Sequence, residues 1–303
     1  METMTFQELR IFSEVVRAGG VTAAANKLGI SKSLVSKQLS RLEQQLEVQL
    51  LTRSSRRVKL TLEGERLLSR IESIIAEGER LVEDAHDEVG HPRGIVRIAA
   101  SPEFGGLVVK CFFPLLVEKY PELQLAMKLA YRFEDLQDPS IDLAFRIGHV
   151  HDDRLVARRL GEFRRIIIAS PDYVAHHKIN RPADLQTVNC LIFSGDSLST
   201  TWTLQHKKDP KRIERINVKG NMSVLGFNAL LGVVESGAGV ANVPEFITGQ
   251  SIQEGRIVHC LKQWSSQAAP VFIAYRFGAE RIGRVSAVID EARKAIPELL
   301  QKQ

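Results

Sequence analysis

Lys32, Ser33, Ser36, Lys37 and Ser40 follow one another at steps of one and three residues, so on a helix they share one face of short hydroxyls and ammonium groups. Such a face suits the major groove of DNA, where bulk would block approach and carboxylates would be repelled by phosphate. The acidic residues Glu43 and Glu47 come only later. Downstream, LLTRSSRRVKLT crowds Arg53, Arg56, Arg57 and Lys59 into one segment ending in the strand-like Val58-Lys59-Leu60, a basic hairpin able to hold phosphates or a narrow minor groove. Catalytic patterns are missing: G-x-S-x-G, G-x-x-x-x-G-K-[ST] and H-E-x-x-H do not occur. Gly237-Ala238-Gly239 begins like a dinucleotide loop, but Asn242 stands where a small residue is needed and the run follows a helix into a strand. His149 and His151 beside Asp152 and Asp153 read as a surface loop rather than a metal site, and His176-His177 as an exposed helix end. No catalytic residue, metal or cofactor is expected.

The elements that must position the basic face are a pair of helices within VTAAANKLGISKSLVSKQLSRLEQQL. Thr22 is expected to cap the first and Ser31 the second, since a hydroxyl ahead of an apolar run can accept from an orphan amide. Gly29 permits the positive φ that reverses the chain between them, and the run of alanines lets the first helix lie close to a neighbour. Val35, Leu39, Leu42 and Leu46 form one buried stripe on the second. Ahead of the pair, Phe6, Leu9, Ile11, Phe12, Val15 and Val16 predict a supporting helix. Thr61 then caps a long helix reaching about Val89. Gly64, Leu67, Ile71, Ile74, Gly78, Leu81 and Ala85 recur alternately at three and four residues, the period of a seam, widened by Leu68, Ile75 and Val82. A lone helix of this length could not bury that surface, so a dimerisation helix is expected, with packing inside its own chain as the alternative. Charge follows the same partition: residues 1–61 hold ten Lys/Arg against five Asp/Glu, and residues 62–88 hold three against nine. Basic charge thus concentrates where a DNA module would lie.

Gly90-His91-Pro92-Arg93-Gly94 marks a linker. Beyond it, short apolar runs alternate with helical segments: IVRIAA, a helix through Val117, LQLAMKL and IDLAFRIG, then RRIIIAS, CLIFS, RINVKG, a helix from about Val224 to Ser236, GAGVANVP and IVHCL. This predicts two series of parallel α/β units, with VFIAYRF and a last helix free to return to the first series. In open α/β lobes ligands sit beyond the carboxyl ends of strands, near helix N-termini. Three such ends are legible: Ser101-Pro102-Glu103-Phe104, Arg146-Ile147-Gly148 and Phe193-Ser194-Gly195. Arg146, the one cation among them, is either the anchor of a carboxylate ligand or an internal salt bridge to Glu103. Cys111, Cys190 and Cys260, widely spaced and without C-x-x-C, read as buried thiols. METMTFQELR has no apolar core of a signal peptide and no stretch of 18 apolar residues occurs, so a cytoplasmic protein without membrane contact is expected.

GGVTAAANKLGISKSLVSKQLSRLEQQLEVQLLTRSSRRVKLTLEG closely resembles the DNA-binding segment of LysR-type transcriptional regulators. It departs from the family pattern at Lys32, commonly glutamine, at Glu47, commonly glycine, and at Leu51, commonly phenylalanine. Residues 93–300 resemble the same family's effector domain through GIVRIAAS, FPLLVEKYPELQL, IDLAFRIG, ASPDYV, RPADLQTVNCLIF, SGAGVANVP and GRIVHCL, in the expected order. The resemblance implies a winged helix-turn-helix at 1–61, a dimerisation linker helix at 62–90, and at 91–303 a two-lobed α/β effector domain of periplasmic-binding-protein type. Its lobes would be 91–160 with 266–303, and 161–265. It places a small-molecule inducer between the lobes, at the three strand ends and at Leu225-Gly226-Phe227. Partners expected are double-stranded operator DNA of two-fold symmetry, the inducer, further copies in a dimer and tetramer, and RNA polymerase. Thr22, Lys32, Ser33, Ser36, Lys37, Ser40, Arg53, Arg56 and Arg57 would contact DNA. Other readings are a solute-binding or enzymatic α/β domain on a DNA anchor, and a DNA-packaging protein without sequence preference.

Overall fold

The computed structural model describes residues 4–52, 59–85, 92–131, 141–148, 150, 152 and 154–301. The chain divides into two compact units, the first ending with the long helix and the second holding the sheets. In the first unit α1 (Phe6–Arg17) opens on a reciprocal cap, Thr5 N donating to Glu8 Oε2 at 2.7 Å and Glu8 N to Thr5 Oγ1 at 3.4 Å. α2 (Val21–Leu28) starts earlier than its hydroxyl implies: Gly20 holds the cap position and Thr22 lies inside the first turn. The reason is the Gly19-Gly20 reversal, with φ 72° at Gly19 and Gly20 N donating to Val15 O at 3.1 Å, which launches the helix before Thr22 is reached. Gly29, at φ 68°, ends α2, and Ser31 Oγ accepts from Leu34 N at 3.2 Å to open α3 (Lys32–Leu46). Val35, Leu39 and Leu42 pack with Leu9, Phe12, Val15, Ala24 and Ala25, which is what fixes the angle of the helix pair. Glu47 closes α3 in the left-handed region at φ 55° without the glycine that would relieve it.

After α3, Glu43 Oε1 accepts from the amides of Leu50 and Leu51 at 2.8 and 3.1 Å, and Leu51 bridges Leu60 in antiparallel register, forming the base of a hairpin. Thr61 Oγ1 accepts from Gly64 N at 3.0 Å and starts α4 (Leu62–Ala85). The seam of α4 is divided. A Cβ on Gly64 would lie 2.2 Å from Leu50 O, one on Gly78 would lie 2.5 Å from the Phe6 ring, and Ile71 is buried in the DNA module's own core with Leu67, Leu68 and Ile75 against it. Those seam positions serve their own chain, against the expectation that they face a partner helix. Periodicity reports that a face is covered and not by what, and here α1 covers Gly78 and the segment after α3 covers Gly64. Ile74, Leu81 and Val82 stay exposed.

The second unit runs β1 (Gly94–Ala100), α5 (Pro102–Cys111), α6 (Phe113–Lys119), β2 (Leu123–Leu129), β3 (Leu143–Ile147), β4 (Leu155–Phe163), β5 (Arg165–Ala169), α7 (Pro171–His176), β6 (Cys190–Phe193), β7 (Ser199–His206), β8 (Ile213–Lys219), β9 (Ser223–Val224), α8 (Phe227–Glu235), β10 (Val240–Pro244), α9 (Gly249–Gln253), β11 (Val258–Cys260), β12 (Trp264–Ser265), β13 (Ala269–Arg276) and α10 (Gly283–Gln301). One lobe carries the sheet β2-β1-β3-β13-β4, the other the sheet β11-β5-β10-β6-β9 with a small sheet β12-β7-β8. The expectation of parallel units holds for β1 with β2 and β3, and for β6 with β10 and β9. It fails at the crossover strands, where β13 pairs antiparallel with both β3 and β4, and at β5, which pairs antiparallel with both β10 and β11. Each lobe has its own core, one around Phe104, Phe112, Phe145 and Ile273, the other divided between the two faces of the second sheet. Among the described residues no helix is long and apolar enough to cross a membrane.

Candidate nucleic-acid interface and interlobe cleft

On α3 the side chains of Lys32, Ser33, Ser36, Lys37 and Ser40 are all exposed, while Val35 and Leu39 between them are buried. The stripe that anchors the helix therefore turns the basic and hydroxyl face outward. Thr22, exposed on the first turn of α2, belongs to the same module. Two ion pairs brace the module that carries this face. Glu8, fully enclosed, pairs with Arg41 of α3 at 3.2 Å, and Arg17 pairs with Glu72 of α4 at 3.1 Å. Arg53, Arg56 and Arg57 lie outside the described residues.

Between the lobes of the second unit is a cavity of about 260 Å³, lined by Ser101, Glu103, Tyr131, Ile147, Phe163, Arg165, Phe193, Phe227, Pro244, Phe246 and Ala269. Of the ten expected effector residues it takes Ser101, Phe193 and Phe227. Ser101 occupies the cap position of α5 without a side-chain cap bond, and Phe193 stacks on Phe227 at 3.9 Å between centroids. The rest do other work. Pro102 is the first residue of α5, and Phe104 is fully buried against Phe145 and Phe246 at 5.7 and 5.8 Å. Gly148, at φ 86°, donates its amide to Pro270 O, and Ser194 Oγ accepts from the amides of Asp196 and Ser197 in a local turn. Leu225 is exposed and Gly226 is the cap position of α8.

Arg146 is 1% exposed and lines no part of this cavity, which takes its strand neighbour Ile147 instead, because successive side chains of β3 point to opposite faces. Burial lowers its pKa, with Asp152 opposing that shift. Glu103 is not its mate: the Glu103 carboxylate, 6% exposed, accepts from Phe227 N at 2.8 Å and from the Tyr131 hydroxyl. A carboxylate of α5 thus satisfies the N-terminal amide of α8 across the lobes. Enclosure first, and the bond to Glu103 second, raise the Tyr131 phenol well above its ordinary pKa.

The cation of the cleft is Arg165, the first residue of β5. Its amide donates to Ser266 Oγ at 2.8 Å, while its guanidinium makes no hydrogen bond or ion pair among the described residues. The side chain is exposed at the mouth of the cleft, and the desolvation it does undergo lowers its pKa. In sequence it is one of two adjacent arginines, and only the register of β5 separates it from Arg164, which binds Ser266 O at 2.9 Å. Tyr131, Phe163 and Phe246 carry no local signal at all.

The remaining chemistry is structural. Among the described residues no cluster of His, Cys, Asp or Glu could hold a metal. His149, His151 and Asp153 lie outside them, while Asp152 is tied to Arg154 by two hydrogen bonds at 2.9 Å that hold its carboxyl down at about 2. His177 stacks on Tyr173 at the end of α7. Burial pushes the Cys190 thiol up to about 12 and Cys260 to about 11.

Residues 6–65 match the family model of the bacterial regulatory helix-turn-helix protein, lysR family, and residues 90–297 that of the LysR substrate binding domain. The HTH-type transcriptional regulator PtxR of Pseudomonas aeruginosa is 32% identical over 292 residues, 96% of this chain and 93% of its own. DmlR of Escherichia coli, of the same description, is 31% identical over 96% of this chain and 94% of its own. The full-length Vibrio cholerae virulence activator AphB, 24% identical, shares the fold with a TM-score of 0.63 over 95% of this chain and 98% of that one. With a helix-turn-helix whose basic face is turned outward and a two-lobed domain closing on a cavity, the chain belongs to the LysR family of transcriptional regulators.

Proposed function

We propose that this LysR-type regulator reads an operator of two-fold symmetry through α3, and that a small-molecule inducer held between its lobes sets transcription. The division of labour follows residues 1–61 for DNA, 62–90 for dimerisation and 91–303 for the effector. Lys32, Ser33, Ser36, Lys37 and Ser40 reach base edges and nearby phosphates, with Thr22 and the wing arginines Arg53, Arg56 and Arg57 on the backbone. What supports this is a helix face of five exposed small or basic side chains backed by buried Val35 and Leu39. Dimerisation uses the apolar part of α4 that its own chain leaves uncovered, Ile74, Leu81 and Val82, and dimers pair into tetramers on bent DNA in the cytoplasm. The inducer reading rests on the interlobe cavity, with Ser101, Phe193 and Phe227 in its wall. Closing the lobes on the ligand shifts the spacing of the DNA-binding pairs and so the access of RNA polymerase.

Selection of bound fragments from genomic DNA, followed by footprinting, tests the DNA half: a protected site of two inverted half-sites is expected. For the inducer, the low-molecular-weight fraction of a cell extract should change the footprint of the wild type and leave unchanged that of Ser101→Trp, whose indole fills the cavity. A footprint indifferent to the extract would refute inducer control. Protection without sequence preference would favour a packaging role instead.

A further inference from the structure

Arg165 also lines a second hollow beside the interlobe cavity. This hollow, of about 250 Å³, has a wall that includes Arg165, Phe193, Thr201, Trp202, Asn242 and Ser266. Arg165 and Phe193 line both hollows, so the two chambers share one partition. Their chemistries differ. The first adds the rings of Phe163, Phe227 and Phe246 to the shared pair, the second the hydroxyls of Thr200, Thr201 and Thr203 and the amides of Asn242 and Gln267. Asn242 is 5% exposed, and its Oδ1 meets no hydrogen-bond partner among the described residues. A buried amide oxygen in a polar hollow, left unpaired, is a standing invitation to a donor. Asn242 faces Ile167 across the antiparallel pair β10/β5, while Pro244 faces Arg165, so Asn242 and Arg165 occupy diagonal positions on one face of the sheet. The other centre of positive potential in the cleft, the α8 amide at Phe227, is already met by Glu103. The cleft is therefore anionic at its Glu103 end and cationic at its Arg165 end.

We infer that the effector is an amphipathic monocarboxylic acid whose apolar body lies on Phe193 and Phe227 and whose carboxylate sits on Arg165, with a neighbouring hydroxyl donating to Asn242. This deepens the inducer reading above and rests on it. An acid of this class fits because Arg165 offers a planar fork to one carboxylate, whereas a second carboxylate reaching the far end would meet Glu103. A hydroxyl next to the carboxylate satisfies the orphaned amide.

Calorimetric titration of the full-length protein with 3-phenyllactate, 3-phenylpropionate, 3-phenylpropanol and succinate tests the assignment. Expected is binding of both aryl acids about tenfold or more tighter than the alcohol or the diacid, with 3-phenyllactate the better of the two. Arg165→Gln should bring the acids down to the level of the alcohol, Arg165→Lys should retain part of the difference, and Asn242→Leu should erase the preference for 3-phenyllactate over 3-phenylpropionate. Melting curves of the variants serve to show that each is folded. The protein's two tryptophans include Trp202 in the wall of the polar chamber, so in a Trp264→Phe background the aryl acids should change its emission. Unaltered acid affinity in Arg165→Gln, or succinate bound as tightly as the aryl acids, would overturn the proposal. If none of the four binds the wild type while the extract still shifts its footprint, the ligand class is wrong and inducer control survives; if neither happens, both fall.

Discussion

Lys37 stands on the exposed face of α3 one turn beyond Ser33 and beside Ser36, with buried Leu39 holding the helix from behind. Lys37→Ala should cost roughly 1–3 kcal/mol on the selected operator and less on random DNA, read as the ratio of two gel-shift affinities. An equal loss on both would make Lys37 a phosphate contact. A second residue-scale expectation concerns acid stability. His259 on β11 is held down to about 4 by burial first, then by Lys207 and Lys262. Its folded pKa lies below the unfolded one, near 6.5, so the unfolded chain takes up the proton first as pH falls. The contribution is whole above about pH 6.5 and is lost towards pH 4, amounting to about 2–3 kcal/mol. Urea unfolding across that window should show the decline, and His259→Asn should flatten it. Conversely Cys190 and Cys260, buried and with raised pKa values, should resist a thiol reagent that modifies half-buried Cys111.

Among the elements, α4 carries the sharpest contrast. Ile71 is 4% exposed in the core of the DNA module and Ile74, three residues on, is 48% exposed. Ile74→Glu should therefore leave the module folded and reduce the mass seen by light scattering, because an unpaired carboxylate in an apolar interface carries a penalty of several kcal/mol. Ile71→Glu should instead unfold the helix-turn-helix, visible as lost helicity. Identical behaviour of the two would mean that Ile74 is not at an interface. At the other end of the module, Glu47 sits at φ 55° where the next turn begins. Glu47→Gly relieves a left-handed residue and should raise unfolding free energy by about 1 kcal/mol or less, the gain being reduced by the added freedom of the unfolded chain. Thr22 carries a lesson of the same kind: a hydroxyl near a helix start is a cap only if the backbone begins there, and the Gly19-Gly20 turn began it sooner.

At the scale of the whole molecule, a regulator that reads sequence should lose affinity for random DNA steeply with salt while its operator complex persists, the two differing about a thousandfold or more at physiological ionic strength. Equal salt slopes and affinities would point to backbone binding alone. The two-lobed architecture behind that regulation was legible in the chain because apolar runs such as IVRIAA, RRIIIAS and VFIAYRF are local signals, each complete within a few residues. β4 was not, since LVARRLGEF is an edge strand whose charged side chains hide its register, and neither was the antiparallel return of β13, which depends on where the chain re-enters the first lobe. The sequence by itself determined the turn at Gly29, the apolar stripe opposite the basic face of α3 and the caps at Ser31 and Thr61, all of them patterns complete within a few residues. Only the tertiary structure decided that α1 covers Gly78 and Ile71, that Glu103 answers the amide of Phe227, and that Arg165 rather than Arg146 faces the cleft. Such pairings join positions as distant as 103 and 227, and each turns on which side of a strand or helix a residue falls once the lobes have closed around their own cores.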